Sequence, residues 1–142
     1  MDYFFYGTLM DQDVLGAVLG RRIAPARLKP AVLVGYRCVY AKGVTYPALV
    51  PGAAGDAVTG CVMVGVTPPE AARLRRFEGA DYREAPLTVT AEGRGERSAV
   101  VFLPRSRMVT TDRPWDLDAW RRRHKRDYLG RVRGWMGMAP SA

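Results

Sequence analysis

The stretch Tyr3-Phe4-Phe5-Tyr6-Gly7-Thr8-Leu9-Met10 sets the reading of the fold. Four consecutive aromatics favour a pleated, packed strand, and Gly7 bounds it. A helical stretch around Val14 to Leu19 follows at once, with Gly20 as its stop. A strand that ends in Gly-Thr just before a helix presents successive backbone N–H groups. Such a turn can hold a carboxylate or phosphate. An ordinary strand-to-helix turn carries the same residues, so the local pattern leaves both readings open.

Working outward, Ala31 to Tyr40 reads as a strand broken near Gly35, and Pro47, Pro51, Gly52 and Gly55 mark a looping segment. Thr59 to Val66 reads as another strand. Thr67-Pro68-Pro69-Glu70 combines an N-cap threonine, a proline at the first helical position and a glutamate at the third. The helix it opens carries Ala71, Leu74 and Phe77 and stops at Gly79. Tyr82 to Ala91 and Arg97 to Leu103 form a hairpin around Gly93 and Gly95. A last helix is expected over about 116–132, with Leu117, Trp120, His124 and Tyr128 on one face. Strands dominate and are not regularly separated by helices, which makes the chain α+β. Its strand edges need covering or closing, so a small mixed β-barrel flanked by short helices is the expected architecture. With 142 residues and no repeat or linker, the whole of 1–142 is expected to form one domain.

Composition narrows the function. Apolar residues make up 48% of the chain and charged ones 25%, ordinary globular values that argue against disorder and coiled coil. The longest apolar runs, such as Cys61 to Val66, fall far short of the about 20 residues of a spanning helix. The N-terminal residues lack the basic region of a secretory signal. Cys38 and Cys61 are too few and too far apart for a metal ribbon or redox pair, and each lies in an apolar run. They read as buried free thiols in a reducing compartment, so a cytoplasmic location is expected. A single histidine, His124, disfavours zinc catalysis and a serine–histidine site. The glycines at 52, 55 and 60 are not followed by the Gly-Lys-Ser/Thr of a phosphate loop.

Lys plus Arg is 22 against 14 for Asp plus Glu, a net charge of +8. That excess suits an anionic partner, and Arg121-Arg122-Arg123 with Lys125 and Arg126 would be its focus. Asp118 and Asp127, each four residues before an arginine (Arg122 and Arg131), favour a solvated helix face instead. Trp120 and Tyr128 fall on the packing stripe and leave no exposed aromatics for base stacking, so nucleic acid is not an expected partner.

Glu78 stands out in Phe77-Glu78-Gly79-Ala80-Asp81-Tyr82. At a helix C-terminus a carboxylate meets the unfavourable end of the dipole. Beside an apolar wall its pKa rises, which suits a general acid/base. A solvated helix-end glutamate is the competing reading.

Taken together, Tyr3 to Leu9, Gly35-Tyr36, Tyr46-Pro47-Ala48, Gly60 opening a strand, Leu74 to Tyr82, and Pro114-Trp115 resemble the γ-glutamylcyclotransferase-like superfamily. The closer likeness is to its γ-glutamylamine cyclotransferase and avirulence-induced-protein branch. It runs from about residue 3 to residue 103. The resemblance implies a metal- and cofactor-free acyltransferase or lyase acting on a small γ-glutamyl compound. Its α-amine would attack its own γ-amide and release 5-oxoproline with an amine or amino acid. By motif position, Glu78 would be the acid/base, and Tyr6, Gly7, Thr8 and Leu9 would cradle the substrate with Tyr82 and Tyr46 at the border. Thr8 stands where the glutathione-degrading and γ-glutamyl-amino-acid branches usually carry serine, which points away from those substrates. A non-catalytic ligand-binding or regulatory module on the same fold is the alternative. The sequence fixes no oligomeric state.

Overall fold

A computed structural model describes residues 1–137. The order of elements is β1 (Tyr3–Phe5), α1 (Gln12–Leu19), β2 (Leu28–Val34), β3 (Tyr36–Ala41), β4 (Pro47–Pro51), β5 (Ala57–Met63), α2 (Pro68–Glu78), β6 (Tyr82–Ala91), β7 (Gly95–Pro104), β8 (Thr110–Pro114), α3 (Leu117–Arg123) and α4 (Lys125–Gly137). Strands β1-β5-β2-β6-β7 close into a barrel, and β4-β3-β8 form a separate three-stranded sheet. The barrel is mixed: β1 runs parallel to β7 and every other pair in it is antiparallel. The expected α+β barrel with flanking helices is therefore what the chain forms. The second sheet was not foreseen.

Strand β1 sits at the centre of this arrangement because both of its faces are covered. Side chains alternate across a strand. Tyr3 and Phe5 pack into the apolar cluster built by the helices, while Phe4 and Tyr6 pack into the barrel interior. The run of aromatics thus needs no solvent-facing position. Its neighbour β5 meets it at unusually close range. A Cβ on Gly60 would lie 2.2 Å from the Phe5 carbonyl oxygen and 2.7 Å from Phe4 Cζ. Glycine is what lets the Phe4 ring lie against that strand.

Helix α2 starts as its sequence requires. Thr67 and Glu70 form the reciprocal capping box, and Gly79, at φ +73°, ends the helix. Glu70 does more than cap. Its buried carboxylate takes ion pairs from Arg27 at 2.8 Å and Arg21 at 2.7 Å. The hydrogen bonds from Arg27 hold that carboxyl far below the usual range.

Three expectations need correction. The segment from Pro47 to Pro51 is strand β4 rather than loop. Its prolines stand at the two ends, and it pairs only with β3, where missing N–H donors are tolerated. The single helix expected over 116–132 is two, α3 and α4, broken at His124 with φ −130°, and the second runs on to Gly137. The pairs Asp118–Arg122 and Asp127–Arg131 are not formed among the described residues. Asp118 meets Arg121 at 3.8 Å instead. Arg121 and Lys125 both turn onto Asp11, at 2.9 and 3.0 Å. Asp11 is also the N-cap of α1, accepting from the N–H groups of Asp13 and Val14. Burial alone would raise its pKa, but the two cations and the Val14 N–H outweigh that and hold the carboxyl low. Part of the basic run therefore fastens the C-terminal helices to α1. No helix among the described residues is long and apolar enough to cross a membrane.

Replacing Gly60 with alanine should cost more than about 3 kcal/mol, because the clash is with backbone and cannot be relieved by a rotamer change. Chemical denaturation of Gly60→Ala beside wild type measures it.

Candidate active site

The end of β1 leads directly into a tight turn. The Met10 N–H donates to Gly7 O and the Asp11 N–H to Thr8 O, both at 3.0 Å, closing a 3₁₀ turn over Thr8–Met10. The N–H groups of Gly7, Thr8 and Leu9 precede those bonds and meet no backbone acceptor among the described residues. Gly7 is needed here for space. A Cβ at this position would lie 2.9 Å from Pro47 Cγ. Pro47 in turn is held by Tyr82, whose hydroxyl donates to the Pro47 carbonyl at 2.7 Å. Tyr6 is anchored from the other side, its hydroxyl donating to the Phe102 carbonyl at 2.5 Å.

Glu78, the last residue of α2, faces this turn across one cavity. The cavity measures about 130 Å³, and its walls include Tyr6, Gly7, Thr8, Leu9, Tyr46, Pro47, Glu78 and Tyr82. Every residue singled out in the sequence for the site thus reaches the same space. Among the described residues, Glu78 is the one wall residue with an acidic or basic side chain that can be charged near neutral pH. As a residue it is half-buried, but its carboxyl is desolvated enough to push its pKa up to about 8. No cation or hydrogen-bond donor among the described residues offsets that shift. The competing reading of Glu78 as a fully solvated helix-end residue is therefore set aside.

Its field marks its neighbours. Burial raises the phenols of Tyr6, Tyr46, Tyr82 and Tyr128, and the negative charge of Glu78 adds to the shift of all four. All four stay protonated near neutral pH and can act only as neutral hydrogen-bonding or packing groups.

The turn after Glu78 is tethered. Arg107 donates to the Ala80 carbonyl at 2.8 Å, and the Arg105 N–H donates to the Asp81 carbonyl at 2.8 Å. The β7–β8 loop thereby fixes the register in which α2 hands over to β6.

Seven further walls were not assigned to the site from sequence; besides Phe4, Phe5 and Pro47 they are Phe77, Phe102, Tyr128 and Trp135. Tyr128 was read as packing, and it does pack, edge-on against Trp120 at 5.5 Å between ring centroids. Trp135 lay beyond the expected helix end. Its spacing of seven residues from Tyr128 was the available signal, since both then share a helix face. His124 is not among the walls of the cavity. Both cysteines are half-buried free thiols, pushed up by burial to about 12 for Cys38 and about 11 for Cys61. Neither reaches the cavity, and neither is poised as a nucleophile.

Comparison with known proteins agrees with this fold. Residues 3–122 match the family model described as "Gamma-glutamyl cyclotransferase, AIG2-like". AIG2-like protein A of Arabidopsis thaliana is 30% identical over 128 residues, covering 89% of this chain and 75% of that protein. Protein AIG2 C of the same plant is 31% identical over 131 residues, with 89% and 75% covered. A protein of Arabidopsis thaliana solved in solution superposes with a TM-score of 0.65 at 26% identity, covering 98% of this chain and 84% of that one. A structure titled "Gamma-glutamyl cyclotransferase" shares the fold, with a TM-score of 0.57 at 14% identity over 93% of this chain and 85% of that one. With the family model spanning most of its length and a barrel that superposes on such folds, the chain belongs to the AIG2-like γ-glutamyl cyclotransferase family.

Proposed function

We propose that the protein is a γ-glutamyl cyclotransferase with Glu78 as its general acid/base. One observation carries the reading: a desolvated carboxyl, with its pKa near 8, shares a small cavity with three successive free backbone N–H groups. Those two features complement the two charged ends of a γ-glutamyl group. The N–H groups of Gly7, Thr8 and Leu9 donate to its α-carboxylate. Glu78 takes a proton from its α-ammonium.

The freed amine then attacks the γ-carbonyl carbon of the same molecule. The new C–N bond closes a five-membered lactam, the bond to the leaving nitrogen breaks, and Glu78 returns its proton to that nitrogen; the second proton, shed by the ring nitrogen, passes through the same carboxylate to the departing amine, which leaves as its ammonium. The products are 5-oxoproline and a free amine. A cavity of about 130 Å³ is close to the roughly 150 Å³ that admits one benzene molecule. It suits a folded glutamyl unit better than an extended one. Holding the chain folded can lower the barrier by as much as about 7–11 kcal/mol, and a positioned acid/base adds about 10²- to 10⁴-fold.

Glu78→Gln should lower kcat for 5-oxoproline release by about 10²- to 10⁴-fold while substrate still binds. Normal turnover in that variant would remove Glu78 from the mechanism. Binding of γ-glutamyl compounds without release by wild type would make the protein a ligand-binding module. The reaction consumes the ionised carboxylate, so kcat/KM of wild type should climb from pH 6 and level off above about pH 8. Stability should move the other way. The folded state holds Glu78 at a raised pKa and so favours its protonated form. Stability from that preference is complete below the ordinary glutamate pKa and is lost as pH rises to about 8. Thermal unfolding should therefore show the Glu78→Gln variant gaining on wild type between pH 5 and pH 9. Gly7→Ala should displace Pro47, costing about 1–3 kcal/mol of stability and at least about tenfold in kcat/KM, both measurable on the purified variant.

A further inference from the structure

Glu78 and the Gly7–Leu9 turn account for a glutamyl group but leave several aromatic side chains of the same cavity without a role. Phe77 and Trp135 each stand edge-on to Tyr128, at 6.4 and 6.1 Å between ring centroids and both at 87°. Tyr46 completes the wall from the β3–β4 connection, 6.5 Å from the Tyr82 ring. Phe77, Tyr128 and Tyr46 are largely covered, whereas Trp135 is 49% exposed. The other exposed large apolar residues of the described chain are Met1, Val34, Val44 and Val109, and none of them borders this cavity. Tyr128 and Trp135 lie two turns apart on α4, after the break at His124, and both border the cavity.

Charge selects the kind of group that fits there. Among the described residues no wall side chain other than Glu78 is ionisable near neutral pH, and Glu78 is committed to the amine. A leaving group with its own carboxylate, as an amino acid or dipeptide has, would find no cation on the wall. A leaving group with a second ammonium would find no carboxylate there besides Glu78. A neutral ring meets neither penalty. It can lie against the exposed indole and remove apolar surface from water on both partners.

We propose that the substrates are γ-glutamyl amides whose leaving amine bears an aromatic ring, and that Trp135 is the residue that selects it. This rests on the cyclotransferase reading for the chemistry but is tested by binding. The probes are the γ-glutamyl amides of phenethylamine and of ethylamine. Their affinities for Glu78→Gln, and for Glu78→Gln combined with Trp135→Ala, are measured by calorimetry. The phenethyl amide should bind at least about tenfold more tightly than the ethyl amide, and Trp135→Ala should cut that ratio at least about fivefold. Trp135→Phe in the same background should keep most of the preference, separating ring contact from a folding defect. Equal affinity for the two amides, or a ratio unmoved by Trp135→Ala, overturns the proposal. Release of 5-oxoproline by wild type is followed separately. Its absence from both amides would overturn the cyclotransferase reading, and the binding ratio would still decide the role of Trp135.

Discussion

The structure depends on a strand with no free face. Tyr3 and Phe5 are held by the helices while Phe4 and Tyr6 are held by the barrel, so β1 is the element through which the two apolar clusters share one backbone. Each cluster alone would leave half of an aromatic strand in water. Together they cover all four rings, and they require β5 to approach until only Gly60 fits against Phe5 and Phe4. This tight packing positions the turn that follows. The N–H groups of Gly7 to Leu9 emerge from one of the most confined strands in the molecule, and Pro47 closes over them at a distance that excludes even a methyl group on Gly7. Donors held this way need no rearrangement to meet a charge, which is the condition for effective electrostatic stabilisation.

The second half of the site is held by a different device. Helix α2 is fixed at its start by the Thr67–Glu70 capping box and by the arginines that converge on Glu70. It is fixed at its end by Gly79 and by the Arg107 and Arg105 bonds to the next turn. Glu78 lies between those two anchors. A carboxyl free to move would find water and return toward an ordinary pKa. The anchors prevent this, and Glu78 stays desolvated at a cost that the packing of the helix sustains. Glu70 and Glu78 share one helix eight residues apart, yet cations hold the first ionised and burial holds the second toward its protonated form. Environment separates a structural carboxylate from one that can trade a proton near neutral pH.

Much of this was legible in the sequence because the signals are local. Four aromatics before Gly-Thr, the capping box at Thr67 and the glycine after Glu78 each announce an element or its end through short-range chemistry. The α+β class and the barrel followed from the order of those elements and the need to close their edges. What was not legible depended on distant partners. Pro47 to Pro51 reads as loop on composition, and only β3 makes it a strand. Arg121 and Lys125 read as a solvated face, since nothing nearby reveals that Asp11, more than 100 residues away, would draw them inward. The helix break at His124 has no proline or glycine to mark it, and with it went the reach of α4 to Trp135. The residues that bind the glutamyl group in the proposed reaction were therefore visible, along with Tyr46, whereas Phe77, Tyr128 and Trp135 were not read as part of the site.

That division follows the physics of the proposed reaction. The glutamyl half of any such substrate is invariant and charged at both ends, so it calls for fixed backbone donors and one tuned carboxyl, features written into short motifs. The leaving half carries the variation between substrates and is met by side chains gathered from α2, α4 and the β3–β4 connection. Changing one wall residue there alters which amine is tolerated without touching the lactam chemistry, because the bond-making atoms all lie within the glutamyl unit. The protein's net charge of +8 favours anionic leaving groups, yet among the described residues no cation stands on the wall of this cavity. Its excess basic residues lie outside the pocket and several are committed to Asp11, Glu70 and Glu84. In the proposed reaction, selectivity at the leaving group would then be a matter of shape and apolar surface rather than of charge, and the half-exposed Trp135 is the described wall residue with surface left to cover.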